Sequence, residues 1–258
     1  MEIRLPSESF IVKATEGDKW LLTREGLPAA ELEVNKTLNS VLDMQASAFA
    51  SETGTDLGKW GLAPAGVVMS FKKKDGQTEV LLGKVKDKFY AKRSDKSIVY
   101  QIPKEAFDRA SRPSKEYRDL KLAAFNRFDI KKIRIEHGPQ NFELTKDNTQ
   151  WKLTSATAEQ IDNEKVDEYL SGLQDMKVSG FLNSTQKPKA SEVSIHLFEK
   201  KGDQEKEVVT LSLTKPSGKN SVGMRTGLDR PFTVGETEFK KANAFKQQFL
   251  STATPPKK

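Results

Sequence analysis

Val166-Asp167-Glu168-Tyr169-Leu170-Ser171-Gly172-Leu173-Gln174-Asp175-Met176-Lys177-Val178-Ser179-Gly180-Phe181 decides the reading of this chain, because much of it has occurred once already. Val34, Leu38, Val41, Asp43, Met44, Ser47 and Phe49 stand 132 positions before Val166, Leu170, Leu173, Asp175, Met176, Ser179 and Phe181. Six of these seven pairs are identical, and the seventh is Val41 for Leu173. Within the later copy, Val166, Tyr169, Leu170 and Leu173 recur at steps of three and four, which lines one apolar stripe along a helix. Asp162 or Asn163 can cap its start. Val34, Leu38, Val41 and Leu42 predict the same stripe in the earlier copy. Asp43 and Asp175 follow these stripes, where a short acid hydrogen-bonds local backbone, so both are given a structural role at a helix end.

The correspondence continues outward. Ile3-Arg4-Leu5 pairs with Ile133-Arg134-Ile135, and Trp20-Leu21-Leu22-Thr23 with Trp151-Lys152-Leu153-Thr154. Arg93 pairs with Arg225, Tyr100 with Phe232, Ile102 with Val234, Phe107 with Phe239 and Ala110 with Ala242. Residues 10–13 and 142–145 read as strands leading to the tryptophan strands through the turns Glu16-Gly17-Asp18 and Asp147-Asn148-Thr149. After each helix the period falls to two. Residues 67–71, the turn Lys74-Asp75-Gly76 and 80–83 form a hairpin, matched by 193–198, a turn near Gly202-Asp203 and 208–213. Strands over 88–93 and 97–102 have counterparts at 221–225 and 231–234. A closing helix follows Pro103 and Glu236, and Phe239, Ala242, Phe245, Phe249 and Leu250 give its second copy an apolar side.

The pattern predicts an α+β protein of two tandem homologous repeats, each a mostly antiparallel sheet with helices packed on one face. The first repeat spans 1–110, a connector 111–132, the second repeat 133–250, and 251–258 is a disordered tail. The connector carries Leu120, Leu122, Phe125 and Phe128, too many apolar residues for a solvated linker, and is expected to contain a helical turn. Repeat one holds six extra residues between Phe49 and Val67, in the stretch with Trp60-Gly61-Leu62-Ala63-Pro64.

Composition narrows the functional classes. The 258 residues are 36% hydrophobic and 31% charged, and no run approaches the roughly 18 apolar residues of a membrane helix. The N-terminus has no signal peptide and starts inside the first predicted strand, so an upstream segment is expected to have been removed. Cysteine is absent, which excludes disulfides, thiolate nucleophiles and cysteine-bound zinc. The net charge of +7 comes from lysine pairs and triples with acids between them, the pattern of a solvated surface.

No catalytic, cofactor-binding or metal-ligating residue emerges. His137 precedes the turn Gly138-Pro139, and His196 alternates with Ile195 and Leu197 toward the polar face of a strand, so both read as surface or hydrogen-bonded. Ser70/Lys73 and Ser184/Lys187 have the Ser-x-x-Lys spacing, but the first lies in a strand, where residues three apart face opposite sides, and the second in a loop. Trp20 and Trp151 recur at matching strand positions and read as core. Trp60 lies in the insert of repeat one, either as an exposed contact or packed over the sheet edge. Tyr90, Arg93 and Tyr100 sit on neighbouring strands as a polar and aromatic groove. Trp60, Leu62, Tyr90, Arg93 and Tyr100 are the candidate partner contacts.

The order strand, Trp-x-Leu strand, helix, Trp60-Gly61-Leu62-Ala63-Pro64, Leu82-Gly83, Phe89-Tyr90-Ala91, Val99-Tyr100 and Tyr117-Arg118-Asp119 resembles a bacterial tandem-repeat family of unknown function. That family is encoded near ABC-transporter and gliding-motility-type auxiliary components. The resemblance implies an N-terminal membrane anchor followed by repeats outside the cytoplasm, and this sequence lacks the anchor. It implies a non-enzymatic binding or scaffold module of a cell-envelope transport or motility assembly, with protein partners that include membrane transporter components. No cofactor and no specific nucleic acid are expected. A basic binder of anionic lipid, wall polymer or nucleic acid is the alternative on charge.

Overall fold

The structure, a computed structural model, describes residues 1–17, 19–73, 76–155, 159–182, 188, 190–202 and 204–251. The turn residues Asp18, Lys74, Asp75 and Asp203, the Ser184/Lys187 pair and the tail 252–258 lie outside the described residues. The chain divides into two units, Met1–Asp119 and Leu120–Lys258.

In the first unit, the strands are β1 (Glu2–Arg4), β2 (Ser9–Ala14), β3 (Trp20–Leu22), β4 (Leu27–Ala29), β5 (Ala48–Ser51), β6 (Val67–Lys73), β7 (Gly76–Val85), β8 (Lys88–Arg93) and β9 (Val99–Ile102). They form one sheet in the order β4-β3-β2-β1-β6-β7-β8-β9-β5, and every neighbouring pair is antiparallel. Alternation sorts the faces: in β2, Phe10 and Val12 are buried while Ile11 and Lys13 are exposed. Helix α1 (Glu31–Leu42) follows β4, and α2 (Lys104–Ala110) follows β9. Both lie over the face that carries Ile3, Val67, Met69, Leu82, Phe89, Ala91 and Ile102, and there they bury Val34, Val41, Ala106 and Ala110. Full burial of a valine side chain such as Val34 contributes about 1.5–3 kcal/mol. Ala30 gives α1 no side-chain cap. The start of α1 instead carries Glu31 and Glu33 against the positive end of the helix dipole. Glu33 also accepts from Arg109 at 2.6 Å and Arg112 at 2.8 Å, tying α1 to the end of α2.

In the second unit, the strands are β10 (Ile130–His137), β11 (Gln140–Asp147), β12 (Gln150–Leu153), β13 (Gly180–Phe181), β14 (Val193–Lys201), β15 (Gln204–Leu213), β16 (Asn220–Arg225) and β17 (Leu228–Gly235). Their order is β12-β11-β10-β14-β15-β16-β17-β13, again antiparallel throughout. It is the first sheet's order without the edge strand β4. Helix α3 (Asn163–Gln174) buries Val166, Leu170 and Leu173, as its stripe predicts. Asp162 is its cap, accepting from the Glu164 amide at 3.0 Å. Asn163 serves a different end: its side chain accepts from the Trp151 amide at 2.8 Å and donates to the Thr149 carbonyl at 3.0 Å, fixing the β11–β12 turn.

Two sequence expectations need correction. The closing helix of the second unit, α4 (Glu236–Ala242), stops before Phe245, which is 40% exposed, and Phe249 is buried from the separate 3-10 turn Lys246–Phe249. The stretch 111–132 is not one connector. The 3-10 turn Ser114–Tyr117 buries Tyr117 in the first unit, and the Asp119 amide donates to the Pro28 carbonyl at 2.9 Å. From Leu120 onward the chain packs in the second unit, where Leu122, Ala123 and Phe125 are buried, and β10 begins at Ile130.

Candidate functional site

The five candidate contacts fall on opposite faces of the first sheet. In the register of β8 and β9, Tyr90 stands opposite Gln101 and Ala91 opposite Tyr100, so the two tyrosines point apart. Trp60, Leu62 and Tyr90 come together on the face away from the helices, in a small cluster with Val99. The Trp60 and Tyr90 rings are 5.0 Å apart and tilted, and the Lys59 ammonium lies 5.0 Å from the Trp60 centroid. Leu62 is 1% exposed and Tyr90 is 7% exposed. Trp60 is half-buried, with its indole Nε1 enclosed and lacking a hydrogen-bond acceptor among the described residues. The insert is therefore a packed cover over the sheet rather than a projecting loop. Gly83 permits it, because a Cβ there would lie 2.4 Å from the Trp60 carbonyl oxygen and 2.5 Å from that of Gly61.

Arg93 and Tyr100 belong to the helix face, at the place where α1 ends. There a groove of about 310 Å³ opens between Val41, Leu42, Met44 and Ala46 on one side and Phe71, Val80, Ala91 and Tyr100 on the other. Leu42, expected in the apolar stripe of α1, is 63% exposed, and Phe49, one of the seven repeated residues, is 73% exposed. The Phe49 ring meets Tyr100 at 5.5 Å on the edge strand β5. Lys92 and Arg93 stand at the groove's rim. Arg93 holds Asp95 through Nε at 3.0 Å and a terminal nitrogen at 2.7 Å, while the Lys92 ammonium donates to the Arg93 carbonyl at 3.1 Å. No carboxylate or imidazole lines the groove among the described residues. Such a lining suits an apolar side chain held away from water.

The remaining candidates are held by structural hydrogen bonds or by core packing. His137 Nε2 lies 2.8 Å from the Ala244 carbonyl oxygen, with the ring stacked on Phe245. His196 Nδ1 lies 2.5 Å from Glu207, whose carboxyl is held below its ordinary range by the Thr210 hydroxyl and by His196, against some burial. Ser70 donates to Glu79 at 2.8 Å within the β6–β7 pair. Trp151 is 2% exposed, and Trp20 packs half-buried against the first core. Asp43 and Asp175 terminate α1 and α3, with their backbone amides bonded to Asn39 and Ser171 at 3.0 Å. Among the described residues, no group of three His, Asp or Glu side chains is placed to hold a metal ion, and no helix is long and apolar enough to cross a membrane.

Fold and site together define an α+β protein with two antiparallel sheets and an apolar groove at a helix end. The chain belongs to the family described as domain of unknown function (DUF4340), whose model matches residues 20–194. No curated protein and no solved structure matches the chain.

Proposed function

We propose that the protein is a binding or scaffold module without catalysis of its own, built from two tandem homologous repeats and serving a cell-envelope transport or motility assembly outside the cytoplasm. The observation that carries the binding part is the groove beside α1, with Leu42 exposed in its lining and Phe49 exposed against Tyr100. Apolar side chains left in water around an apolar concavity mark an interaction surface. The duplication is supported by the shared strand order and by the seven residue pairs at an offset of 132. The envelope setting rests on the resemblance of the ordered motifs, and the lack of cysteine agrees with an oxidising compartment. Protein partners, including transporter components, fit an apolar groove better than a polyanion does.

The test is a pull-down from solubilised envelope membranes with the intact gene product as bait. Recovery of transporter subunits is the expected result. Recovery of only wall polymer or anionic lipid, released by salt, would overturn it in favour of the polyanion alternative that the charge of +7 allows.

A further inference from the structure

The second unit has the same helix end, and there the corresponding surface is covered. After α3, the chain at 176–178 faces the extended segment 120–125. The Leu122 amide donates to the Met176 carbonyl at 2.9 Å, the Val178 amide donates to the Leu120 carbonyl at 2.9 Å, and Lys121 and Lys177 form an antiparallel bridge. Gln174 adds a bond from its side chain to the Phe125 carbonyl at 3.0 Å. Leu122 is 0% exposed beneath this pairing, as is Met176.

In the first unit, residues 44–46 hold the same place in the topology. Each segment follows its helix by one residue, and each leads to a serine amide bonded to the last sheet strand. Ser47 donates to Gln101 at 2.8 Å, and Ser179 to Thr233 at 2.7 Å. Among the described residues, however, no backbone group meets the Met44 carbonyl or the Ala46 amide. Burial follows the difference. Met44, Phe71, Val80 and Tyr100 are half-buried, whereas Met176, Leu197, Leu211 and Phe232, at matching places in the second sheet, are buried.

We propose that this groove binds an extended segment of a partner protein. The segment pairs antiparallel with 44–46 and seats a leucine-sized side chain over Phe71, Val80 and Tyr100, in the way 120–125 occupies the second unit. This inference rests on the binding and duplication reading above and names its partner chemistry. Backbone bonds to residues 44 and 46 supply the register, and the groove selects the apolar residue, which is the economy of strand addition at an open edge. Lys92 at the rim favours a carboxylate flanking the apolar anchor, since Arg93 is already held by Asp95.

The experiment titrates the protein into a fluorescently labelled synthetic peptide, Asp-Leu-Lys-Leu-Ala-Ala-Phe-Asn-Arg-Phe, which copies residues 119–128. Saturable binding is expected, weakened about tenfold or more by Leu42→Asp, which introduces a charge at the groove mouth on an already exposed residue. Ala46→Pro, which removes the donor amide, should weaken it similarly. A peptide with Asp in place of its second leucine should not bind. The proposal is overturned if the wild-type protein does not bind the peptide, or if both protein variants bind it unchanged. It is also overturned if sedimentation shows a dimer that Leu42→Asp dissociates, since a second copy then occupies the groove. Peptide binding without capture of envelope subunits would keep the groove and remove the envelope setting. Capture without peptide binding would place the partner elsewhere on the protein.

Discussion

The hydroxyls of Thr37 and Tyr117 meet at 3.0 Å inside the first unit, where both residues are buried. Thr37 also donates to the Glu33 carbonyl, and the Tyr117 ring lies 5.3 Å from Phe10. In the second unit the same place in the helix is held by Tyr169 and the same place in the 3-10 turn by Phe249, whose ring lies 5.8 Å from Phe142. The aromatic hydroxyl has moved from the turn to the helix, yet in both units it reaches a carbonyl at the end of the closing helix. Tyr169 donates to Ala242 at 3.1 Å and Tyr117 to Arg109 at 3.4 Å. Burial raises both phenols above their ordinary range, so each acts as a neutral donor.

Thr37→Val and Tyr117→Phe should each lower stability by about 1–3 kcal/mol, because each strands a buried hydroxyl or a carbonyl lone pair. The double variant should lose less than the sum. Urea denaturation of the four proteins measures the coupling, and strictly additive losses would show that the two hydroxyls do not depend on each other.

Gly83→Ala should displace the cover formed by the 3-10 turn Leu57–Trp60 and the residues after it, since the new methyl group would collide with backbone oxygens of Trp60 and Gly61. A cost of about 1–3 kcal/mol is expected, with easier acrylamide quenching of tryptophan emission. Unchanged quenching and stability would mean that the strand yields instead.

Trp60→Ala should destabilise by about 1–3 kcal/mol, a fraction of the loss for a fully buried ring, because Trp60 packs on Tyr90 within the small cluster. Leu42→Asp should change stability by no more than about 0.5 kcal/mol. Thermal unfolding compares them. Equal stability of Trp60→Ala and the parent would return Trp60 to the role of a free surface contact.

The carboxyl of Glu79 accepts from Arg4 at 2.6 Å and from Ser70 at 2.8 Å, and these bonds hold it below its ordinary value of 4.5 despite some burial. The folded value is depressed, so the stabilisation is present above 4.5 and is lost as pH falls through the folded value. Glu79→Gln should therefore be less stable than the parent near neutrality and converge on it in acid. A gap that stays constant down to the acid limit would assign the effect to packing.

Periodicity made the elements legible, while pairing decided the site. The stripe of Val166, Leu170 and Leu173 announced α3, and alternation announced β6, β7 and β14, because these signals are local. Strand β4 was hidden by Pro28, a residue tolerated there because β4 is the edge of the sheet. Tyr90 and Tyr100 looked like one groove because strand proximity was clear but register was not, and register sends them to opposite faces. The groove itself had no local signal. Leu42 and Leu173 stand one position apart in the two stripes, and only a segment distant in sequence determines that one helix end is sealed and the other open.

That segment also sets where the molecule can be divided. A scissile point chosen at the onset of strand periodicity, near residue 130, would strip 120–125 from the second sheet and lay Met176 and Val178 bare to water. Division after Asp119 leaves Tyr117 with the first sheet and keeps the segment 120–125, with Leu122, on the second.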